Sequence, residues 1–173
     1  MESQEADKNP VVQRLRAWDG EAVSQVIEFR GETTVVIPRE HLQRACGYLA
    51  TEPFLYFAFL SDITTVDKFP LEPRFEVNYH LLSIARTDRL RLKVRLAGND
   101  PTLPSVTSVW PTANWHEREN YDLFGIRFEG HPDLKRILMP DDWEGYPLRR
   151  DYPVQGFGDL HTSDMFRKSS KPR

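Results

Sequence analysis

The sequence FEVNYHLLSIARTDRLRLKVRL, residues 75–96, decides the fold class. Its first half alternates apolar and polar residues from Phe75, and its second half alternates leucine or valine with basic residues from Arg89. A period of two residues is typical of β-strands, whose side chains point alternately to the two faces of a sheet. Residues 86–88, Arg-Thr-Asp, indicate a turn between the halves. The stretch therefore predicts two strands of a sheet with one apolar and one polar face.

A row of cations lies on the polar side of the second of these strands. Its members are Arg89, Arg91, Lys93 and Arg95. Such a row either binds an anionic partner or is solvated and paired with acids on the next strand, and the sequence leaves both interpretations open. Nucleic-acid binding through this row is disfavoured, because the chain has a net charge of −3 and such proteins usually carry a basic excess.

Further elements follow from the same periodicities. The predicted helices are residues 11–18, residues 39–50, and a segment that begins at Ser108 or Thr112 and stops at Gly125. The other predicted strands are residues 22–29, 33–37 and 54–66, with a short extended piece at 126–128. This order predicts an α+β domain: a mainly antiparallel sheet with helices packed on one face, followed by an extended, proline-rich C-terminal segment.

Three regions are expected along the chain. They are a disordered N-terminus at residues 1–10, an α+β domain at 11–128, and an extended C-terminal docking segment and tail at 129–173. Four prolines between positions 132 and 153 exclude a long regular element from the last region, although one short helical turn is predicted at 134–139, capped by Asp133. Residues 155–173 are expected to be disordered in isolation and partly extended along a neighbour in a complex.

Composition limits the cofactors and the location. The chain has one cysteine, Cys46, and iron–sulfur clusters and structural zinc sites need several thiolates. We therefore expect no cofactor on this chain, and Cys46 to be a small buried residue of the second helix. The longest apolar run, residues 54–60, is far shorter than the about 20 residues of a membrane-spanning helix. Because the N-terminus also lacks a signal pattern, a cytoplasmic protein is expected, with membrane contact only through partners.

Residues 114–153, NWHERENYDLFGIRFEGHPDLKRILMPDDWEGYPLRRDYP, combine charges, aromatic rings and prolines at high density. On a helix, Arg118 and Asp122 are four residues apart and are predicted to pair. A segment interrupted by prolines cannot build its own core, so its aromatic rings need a surface to cover them. That surface is either another protein, since Trp, Tyr and Arg are enriched at interfaces, or the sheet of the same chain.

The same stretch also permits an enzymatic interpretation. Three carboxylates and a histidine, namely Glu117, Glu119, Asp122 and His131, would suit a carboxylate-dependent hydrolase with a divalent metal. Against it, a zincin helix carries two histidines four residues apart, and the residue four after His116 is Asn120. A helix of alternating charges is ordinarily a salt-bridged surface.

The string ERENYDLFGI, residues 117–126, followed by GHPDLKRILMPDDWEGYPLRRDYP, closely resembles the signature of the C subunit of NADH-quinone oxidoreductase, the thirty-kilodalton subunit of respiratory complex I. The resemblance is dense over residues 103–153 and weaker but compatible upstream. Three residues depart from the family pattern: Asn120 replaces a small apolar residue, Tyr146 a histidine and Arg150 a lysine.

The resemblance implies a structural subunit without cofactors or independent activity in the hydrophilic arm of a proton-translocating NADH:quinone oxidoreductase. It implies that the C-terminal stretch extends over the forty-nine-kilodalton-type D subunit, which helps to form the quinone site and is called the quinone-site subunit below. The chain ends at Arg173 without a fused domain of that type, so this partner is expected to be a separate polypeptide.

The rest of the complex supplies the other implied partners and all of the cofactors. Neighbouring iron–sulfur subunits of the hydrophilic arm are implied as further partners. FMN, Fe–S clusters and quinone would belong to those other subunits. The implied location is peripheral, on the cytoplasmic side of the cell (inner) membrane.

The resemblance also implies roles for individual residues. A charged cluster supporting the subunit and its interface would consist of Glu117, Arg118, Glu119 and Asp122. The residues implied to anchor the C-terminal stretch to the partner are Arg136, Asp141, Asp142, Trp143, Arg149, Arg150, Asp151 and Tyr152. An equivalent subunit of a ferredoxin-dependent complex or of a membrane-bound hydrogenase stays an alternative, because the electron donor binds elsewhere.

Overall fold

A computed structural model of the chain describes residues 9–154. Its helices are α1 (Pro10–Trp18), α2 (Leu42–Thr51) and α3 (Ala113–Phe124), with 3₁₀ turns at Gly20–Ala22 and Arg39–His41. Its strands are β1 (Gln25–Phe29), β2 (Glu32–Val36), β3 (Phe59–Asp67), β4 (Phe75–Ser83), β5 (Asp88–Leu96), β6 (Thr102–Pro104) and β7 (Arg127–Glu129).

Five strands form one sheet in the order β1-β2-β5-β4-β3. Every pairing in it is antiparallel except that of β2 with β5, which is parallel. The short strands β6 and β7 pair in parallel as a separate two-stranded sheet. The predicted α+β class with a mainly antiparallel sheet is therefore confirmed.

The helices cover one face of the large sheet, as the alternation in residues 75–96 predicts. The apolar residues of β4 and β5, such as Tyr79 and Leu92, are fully buried in one core with Leu15 of α1 and Leu49 of α2. Cys46 belongs to that core, and its burial raises the pKa of its thiol far above the ordinary value. The alternate residues of the same strands form the opposite, polar face.

Several predicted boundaries shift. Asn9 caps α1 by accepting a hydrogen bond from the backbone N–H of Val11, so the predicted disordered N-terminus does not include residues 9 and 10. The predicted strand at 54–66 begins only at Phe59, because residues 54–58 form a loop that buries Leu55 and Phe57 but leaves its other aromatic rings exposed. The short strand β6 lies in a stretch for which the sequence predicted only a break.

Helix α3 begins and ends close to the predicted residues. Thr112 precedes its first residue, and Gly125 ends it with a φ of 73°, in the left-handed region that favours glycine. Trp110, just before α3, donates from its indole Nε1 to the Phe57 carbonyl at 3.1 Å. The helix packs along β3, the edge strand of the sheet.

Residues 131–154, called the C-terminal segment below, contain no helix or strand. The predicted helical turn at 134–139 is therefore wrong. Instead of bonding to each other's carbonyls, the N–H groups of Ile137, Leu138 and Met139 all donate to the carboxylate of Asp122. The expectations for residues 1–8 and 155–173 lie outside the described residues.

Candidate docking surface

Asp122 of α3 is the main attachment point of the C-terminal segment. Its carboxylate is fully buried, and its Oδ2 accepts three backbone N–H bonds of 2.7–3.0 Å from residues 137–139. Its Oδ1 accepts a 2.6 Å bond from Arg136. Burial alone raises the pKa of Asp122, but these bonds to the ionised form outweigh it, so the pKa lies below its ordinary value.

Arg136 extends this attachment to the next turn of the segment. Besides Asp122, its guanidinium donates to the carbonyl oxygens of Trp143 and Gly145 at 2.9 and 3.1 Å. The cation also lies 5.7 Å from the ring centre of Tyr146. One arginine therefore connects α3 to two separate points of a segment that has no backbone ladder of its own.

Arg118 holds the same segment from one turn earlier in α3. Its Nε and Nη2 donate to the carbonyls of Lys135 and Arg136 at 3.2 and 3.0 Å. The predicted Arg118–Asp122 pair does not form, because Asp122 is engaged by Arg136 and by the backbone. Both residues instead act on the C-terminal segment, so the four-residue spacing brings two attachment points onto one side of the helix.

Glu117 lies on the opposite side of α3, where it has no basic partner in the described part of the chain. Its side chain is fully buried and accepts 2.7 Å bonds from the Ser105 hydroxyl and the Val106 backbone N–H. Burial raises its pKa to about 7, and the two hydrogen bonds only partly offset the effect. Both oxygens are hydrogen-bonded and the side chain is buried, so Glu117 stabilises the loop before α3.

A second attachment lies at the far end of β3. Arg74 forms a two-pronged contact with Asp67, with bonds of 2.9 and 2.8 Å. The same guanidinium binds both oxygens of Asp151 at 2.9 and 2.6 Å. Asp67 also accepts the backbone N–H of Arg150 at 2.9 Å. Burial raises the pKa of Asp67, but the hydrogen bonds from Arg74 and the backbone prevail and lower it to about 2.

Arg149 fills the space between the two attachments. Its Nε donates to the carbonyl of Phe124, the last residue of α3, at 2.6 Å, and its cation lies 4.5 Å from the ring centre of Tyr146. Gly125 makes this approach possible, since a Cβ there would lie 2.5 Å from the Tyr146 ring and 2.6 Å from the Arg149 guanidinium. The contacts of Tyr146, which the sequence left unsettled, are therefore with two arginines and, edge-on, with Tyr121.

Asn120 of α3 is buried, and both ends of its amide are hydrogen-bonded. Its Oδ1 accepts a 2.6 Å bond from Thr65, and its Nδ2 donates to the carbonyls of Ile63 and His116 at 2.7 and 2.8 Å. The amide thus joins α3 to the edge strand β3. A small apolar residue could not make these bonds.

The remaining predicted site residues are divided between internal contacts and the surface. Trp143 and Tyr152 stack with their ring centres 6.4 Å apart. The side chains of Glu119, Asp141, Asp142 and Arg150 are exposed. Exposed apolar residues of the same two elements, α3 and the C-terminal segment, include Trp115, Ile137, Leu138 and Leu148. We call the six of these exposed residues that belong to residues 131–154, namely Asp141, Asp142, Arg150, Ile137, Leu138 and Leu148, the outer surface of the segment; Trp115 and Glu119 are exposed on α3.

Sequence reasoning missed Asp67 and Arg74, which carry the second attachment. Both flank a loop with two prolines between β3 and β4, and neither has a distinctive spacing to the C-terminal segment. The only available signal was that two unlike charges bracket that loop. Their partner Asp151 is 77 residues from Arg74 along the chain, and no periodicity connects positions that far apart.

The hydrolase alternative requires its carboxylates and its histidine to lie together around a metal ion. No group of three or more His, Cys, Asp or Glu residues in 9–154 could hold a metal ion. The residues of the hydrolase alternative do not converge: Glu117 faces residues 105–106, Asp122 faces residues 136–139, and His131 lies against the Asn114 carbonyl and the Asp133 backbone N–H. No helix in this range has the length and hydropathy that crossing a bilayer would need.

The family model for the respiratory-chain NADH dehydrogenase 30 kDa subunit matches residues 35–158. The chain belongs to this family. It is 47% identical over 148 residues to the NADH-quinone oxidoreductase C subunit of Roseiflexus sp. (strain RS-1), covering 86% of this chain and 85% of that protein. It is also 47% identical over 151 residues to the C subunit of Geotalea uraniireducens (strain Rf4), covering 87% of this chain and 91% of that protein. The resemblance proposed from the sequence is confirmed.

Two solved structures share the fold. A trypsin-resistant fragment (1–134) of Nqo5 superposes with a TM-score of 0.60 at 38% identity, covering 72% of this chain and 96% of the fragment. A chain in the membrane-bound sulfane sulfur reductase, an archaeal respiratory membrane complex, superposes with a TM-score of 0.69 at 22% identity, covering 94% and 91% of the two chains. The second likeness concerns the fold alone.

Proposed function

We propose that this chain is the cofactor-free structural subunit of the hydrophilic arm of a proton-translocating NADH:quinone oxidoreductase. It supports electron transfer from NADH through FMN and Fe–S clusters to quinone, and it contributes no reacting group of its own. The observation that carries the proposal is the 47% identity to an NADH-quinone oxidoreductase C subunit over 86% of the chain. In that complex the subunit lies peripherally, on the cytoplasmic side of the cell (inner) membrane.

We further propose that the outer surface of the C-terminal segment docks on the quinone-site subunit. The internal attachments support this, because Asp122 and Arg74 fix the segment in the free chain and leave little conformational entropy to be lost on binding. The exposed residues Ile137, Leu138 and Leu148 supply apolar area, and Arg150 and Asp142 supply charges around it. An apolar centre with a charged rim is the usual anatomy of a protein interface.

The test is co-purification from gently solubilised membranes through a tag on this chain, with NADH-to-quinone electron transfer assayed in parallel. Recovery of the quinone-site subunit together with flavin and iron–sulfur subunits supports the proposal. Recovery of the quinone-site subunit without the flavin subunits would indicate a ferredoxin- or hydrogen-linked electron donor instead of NADH. It would still support the proposed docking. A lone monomer would overturn both statements.

A charge reversal tests the docking surface itself. Asp141→Lys with Asp142→Lys changes two exposed carboxylates without ion pairs in the described structure, so folding should not change. We expect recovery of the quinone-site subunit to fall about tenfold, since like charges brought together across an interface are costly. The control of equal charge change is Glu21→Lys with Glu129→Lys, at two exposed carboxylates outside the C-terminal segment and without ion pairs in the described structure. Equal recovery from the two variants would contradict the assignment of residues 141–142 to the interface.

A further inference from the structure

The five-stranded sheet has a second face that no described helix covers. The helices lie on the apolar side, whereas the side chains of Thr34, Arg91 and His80 point to the other side in one row across β2, β5 and β4. Isolated domains of two layers often leave one sheet face in solvent. This open face, however, differs from an ordinary solvated surface, because it has a net positive charge and exposed apolar side chains at one end.

The open face carries a positive charge that contrasts with the rest of the chain. Its cations are Lys68, Arg89, Arg91, Lys93 and Arg95, and its carboxylates are Glu32 and Glu76. Five cations minus two carboxylates leave +3, whereas the whole chain has a net charge of −3. Asp62, on the edge strand β3, lies 3.2 Å from His116 of α3. Counting Asp62 as well lowers the net charge of the face only to +2.

One carboxylate of this face, near the first residue of β4, is shared by three cations. Glu76 lies 2.8 Å from Lys93, 3.3 Å from Arg95 and 3.4 Å from Lys68. A single negative charge cannot neutralise three positive ones, so two positive charges remain uncompensated around Glu76. The interpretation that the basic row is paired with acids of the next strand is therefore correct for individual contacts but leaves an excess of cations.

One end of the face adds exposed apolar side chains to an unpaired cation. Phe59 is opposite Leu82 in the sheet, and Leu82 is opposite Arg89, so the three side chains form one row on the open face. Arg89 is exposed and has no ion pair within the described structure. Phe29, at the same end on β1, is 63% exposed, and Phe59 is 44% exposed. Phenylalanine and arginine are both enriched at protein interfaces relative to the rest of the surface.

We propose that the open face of the five-stranded sheet is a second docking surface, which binds a carboxylate-rich segment of a neighbouring protein. The carboxylates of that segment contact the uncompensated cations around Glu76, and an apolar side chain contacts the row of Phe59 and Arg89. A nucleic acid fits less well, because the exposed aromatic rings of this face, Phe29 and Phe59, lie at one end of it and not beside the cations around Glu76, so bases would have no ring to stack on there. The proposal does not depend on the C-terminal segment.

The experiment places a photo-crosslinking phenylalanine analogue at Phe59 or Phe29 in the full chain, within the complex isolated from membranes. The control position is Phe54, which is 61% exposed and stacks with Arg14 of α1 on the helix side. We expect crosslinks from both test positions to a peptide in which Asp and Glu exceed Lys and Arg, and none to that peptide from Phe54. No crosslink from either test position, or a peptide without surplus acid, would overturn the proposal.

A charge variant supplies the second readout. Arg89→Glu removes an exposed cation, and Arg127→Glu on β7 is a control of equal charge change away from the face. We expect the crosslink from Phe59 to fall about tenfold in Arg89→Glu and to stay unchanged in Arg127→Glu. An equal yield of the Phe59 crosslink in the two variants would contradict a role of the Arg89 cation in binding. Binding of a short single-stranded RNA by the purified chain that disappears in Arg89→Glu would reassign the face to nucleic acid.

The same samples distinguish this proposal from docking through the C-terminal segment. If Arg89→Glu abolishes the crosslink while the quinone-site subunit still co-purifies, the two surfaces are independent. If no partner protein co-purifies with the unmodified chain, both the proposed function and the docking of a neighbouring protein on the open face are overturned.

Discussion

The sheet domain and the C-terminal segment lie against each other in one chain, but they are held by different interactions. The sheet domain buries a continuous apolar core in which residues such as Leu92 and Leu49 are fully enclosed. The C-terminal segment has no helix or strand and is attached by two buried carboxylates, Asp122 and Asp67, with their arginine partners. Apolar burial tolerates small displacements, whereas a buried ion pair fails when one partner is lost. The segment should therefore be more sensitive to single charge deletions than the core.

The largest effect is expected at the attachment that joins both regions. Arg74→Ala leaves Asp67, whose side chain is only 2% exposed, without its cation, and removes the partner of Asp151. We expect a loss of about 3–5 kcal/mol in the free energy of unfolding, measured by urea denaturation. Lys135→Ala, which breaks an exposed pair with Asp133, should cost about 0–1 kcal/mol. Similar losses in the two variants would mean that the attachment contributes no more than a surface pair.

A smaller and more local effect is expected at Asp122. Asp122→Asn keeps the shape of the side chain but removes the charge that binds Arg136 and the N–H groups of residues 137–139. We expect the hydrogen bonds of that turn to weaken by about 2 kcal/mol, so that its amides exchange about 30-fold faster with solvent. Amides of β4 should change less, because the core does not depend on this carboxylate. Equal acceleration in β4 and in the turn would show that the two regions unfold together.

The third prediction concerns pH and separates the two buried carboxylates of α3. The pKa of Glu117 is raised by burial to about 7 from an ordinary value near 4.5. Between these values the folded chain binds more protons at this site than the unfolded chain, so stability falls as pH rises and the loss is complete above about pH 7. The full difference corresponds to at most about 3 kcal/mol.

Glu117→Gln should remove this dependence. The amide keeps the shape and can still accept from the Val106 backbone, so we expect the difference in unfolding free energy between variant and parent to grow by about 2 kcal/mol in favour of the variant from pH 5 to pH 8. The lowered pKa of Asp122 places its titration below this range, so Asp122→Asn is the matched control without such a slope. A constant difference across the range would contradict a raised Glu117 pKa.

The difference between the regions also explains what the sequence could predict. The alternation around Leu92 and the helical spacing around Leu49 predicted the apolar core, because residues on one buried face of a strand or helix recur at a fixed spacing in the sequence. Gly125 ends α3 as predicted. The turn at 134–139 was mispredicted because its N–H groups bond to Asp122 of another element, which no local pattern encodes. Asp67 and Arg74 were missed for the same reason. The motif identified the family, but it did not show which charges face inward.

Two neighbouring arginines, Arg149 and Arg150, differ in role. We expect the smallest change in the stability of the free chain for Arg150, and the comparison with Arg149 separates contacts inside the chain from contacts with a partner. Arg149 donates to the Phe124 carbonyl and stacks on Tyr146, whereas the Arg150 side chain is exposed and has only a 3.4 Å contact with the Phe69 carbonyl. Arg150→Ala should therefore change the free energy of unfolding of the isolated chain by less than about 0.5 kcal/mol.

Arg149→Ala, in contrast, removes a half-buried cation and leaves the Phe124 carbonyl without that donor, so the isolated chain should lose about 1–3 kcal/mol. If the C-terminal segment docks as proposed, Arg150→Ala should still lower co-purification of the quinone-site subunit, although it leaves the chain intact. A double replacement of both arginines would mix the two effects, which is why single variants are needed. Full recovery of the partner with a stable Arg150→Ala chain would show that this side chain is not part of the interface. The contribution of residue 150 would then be its backbone N–H, which donates to Asp67.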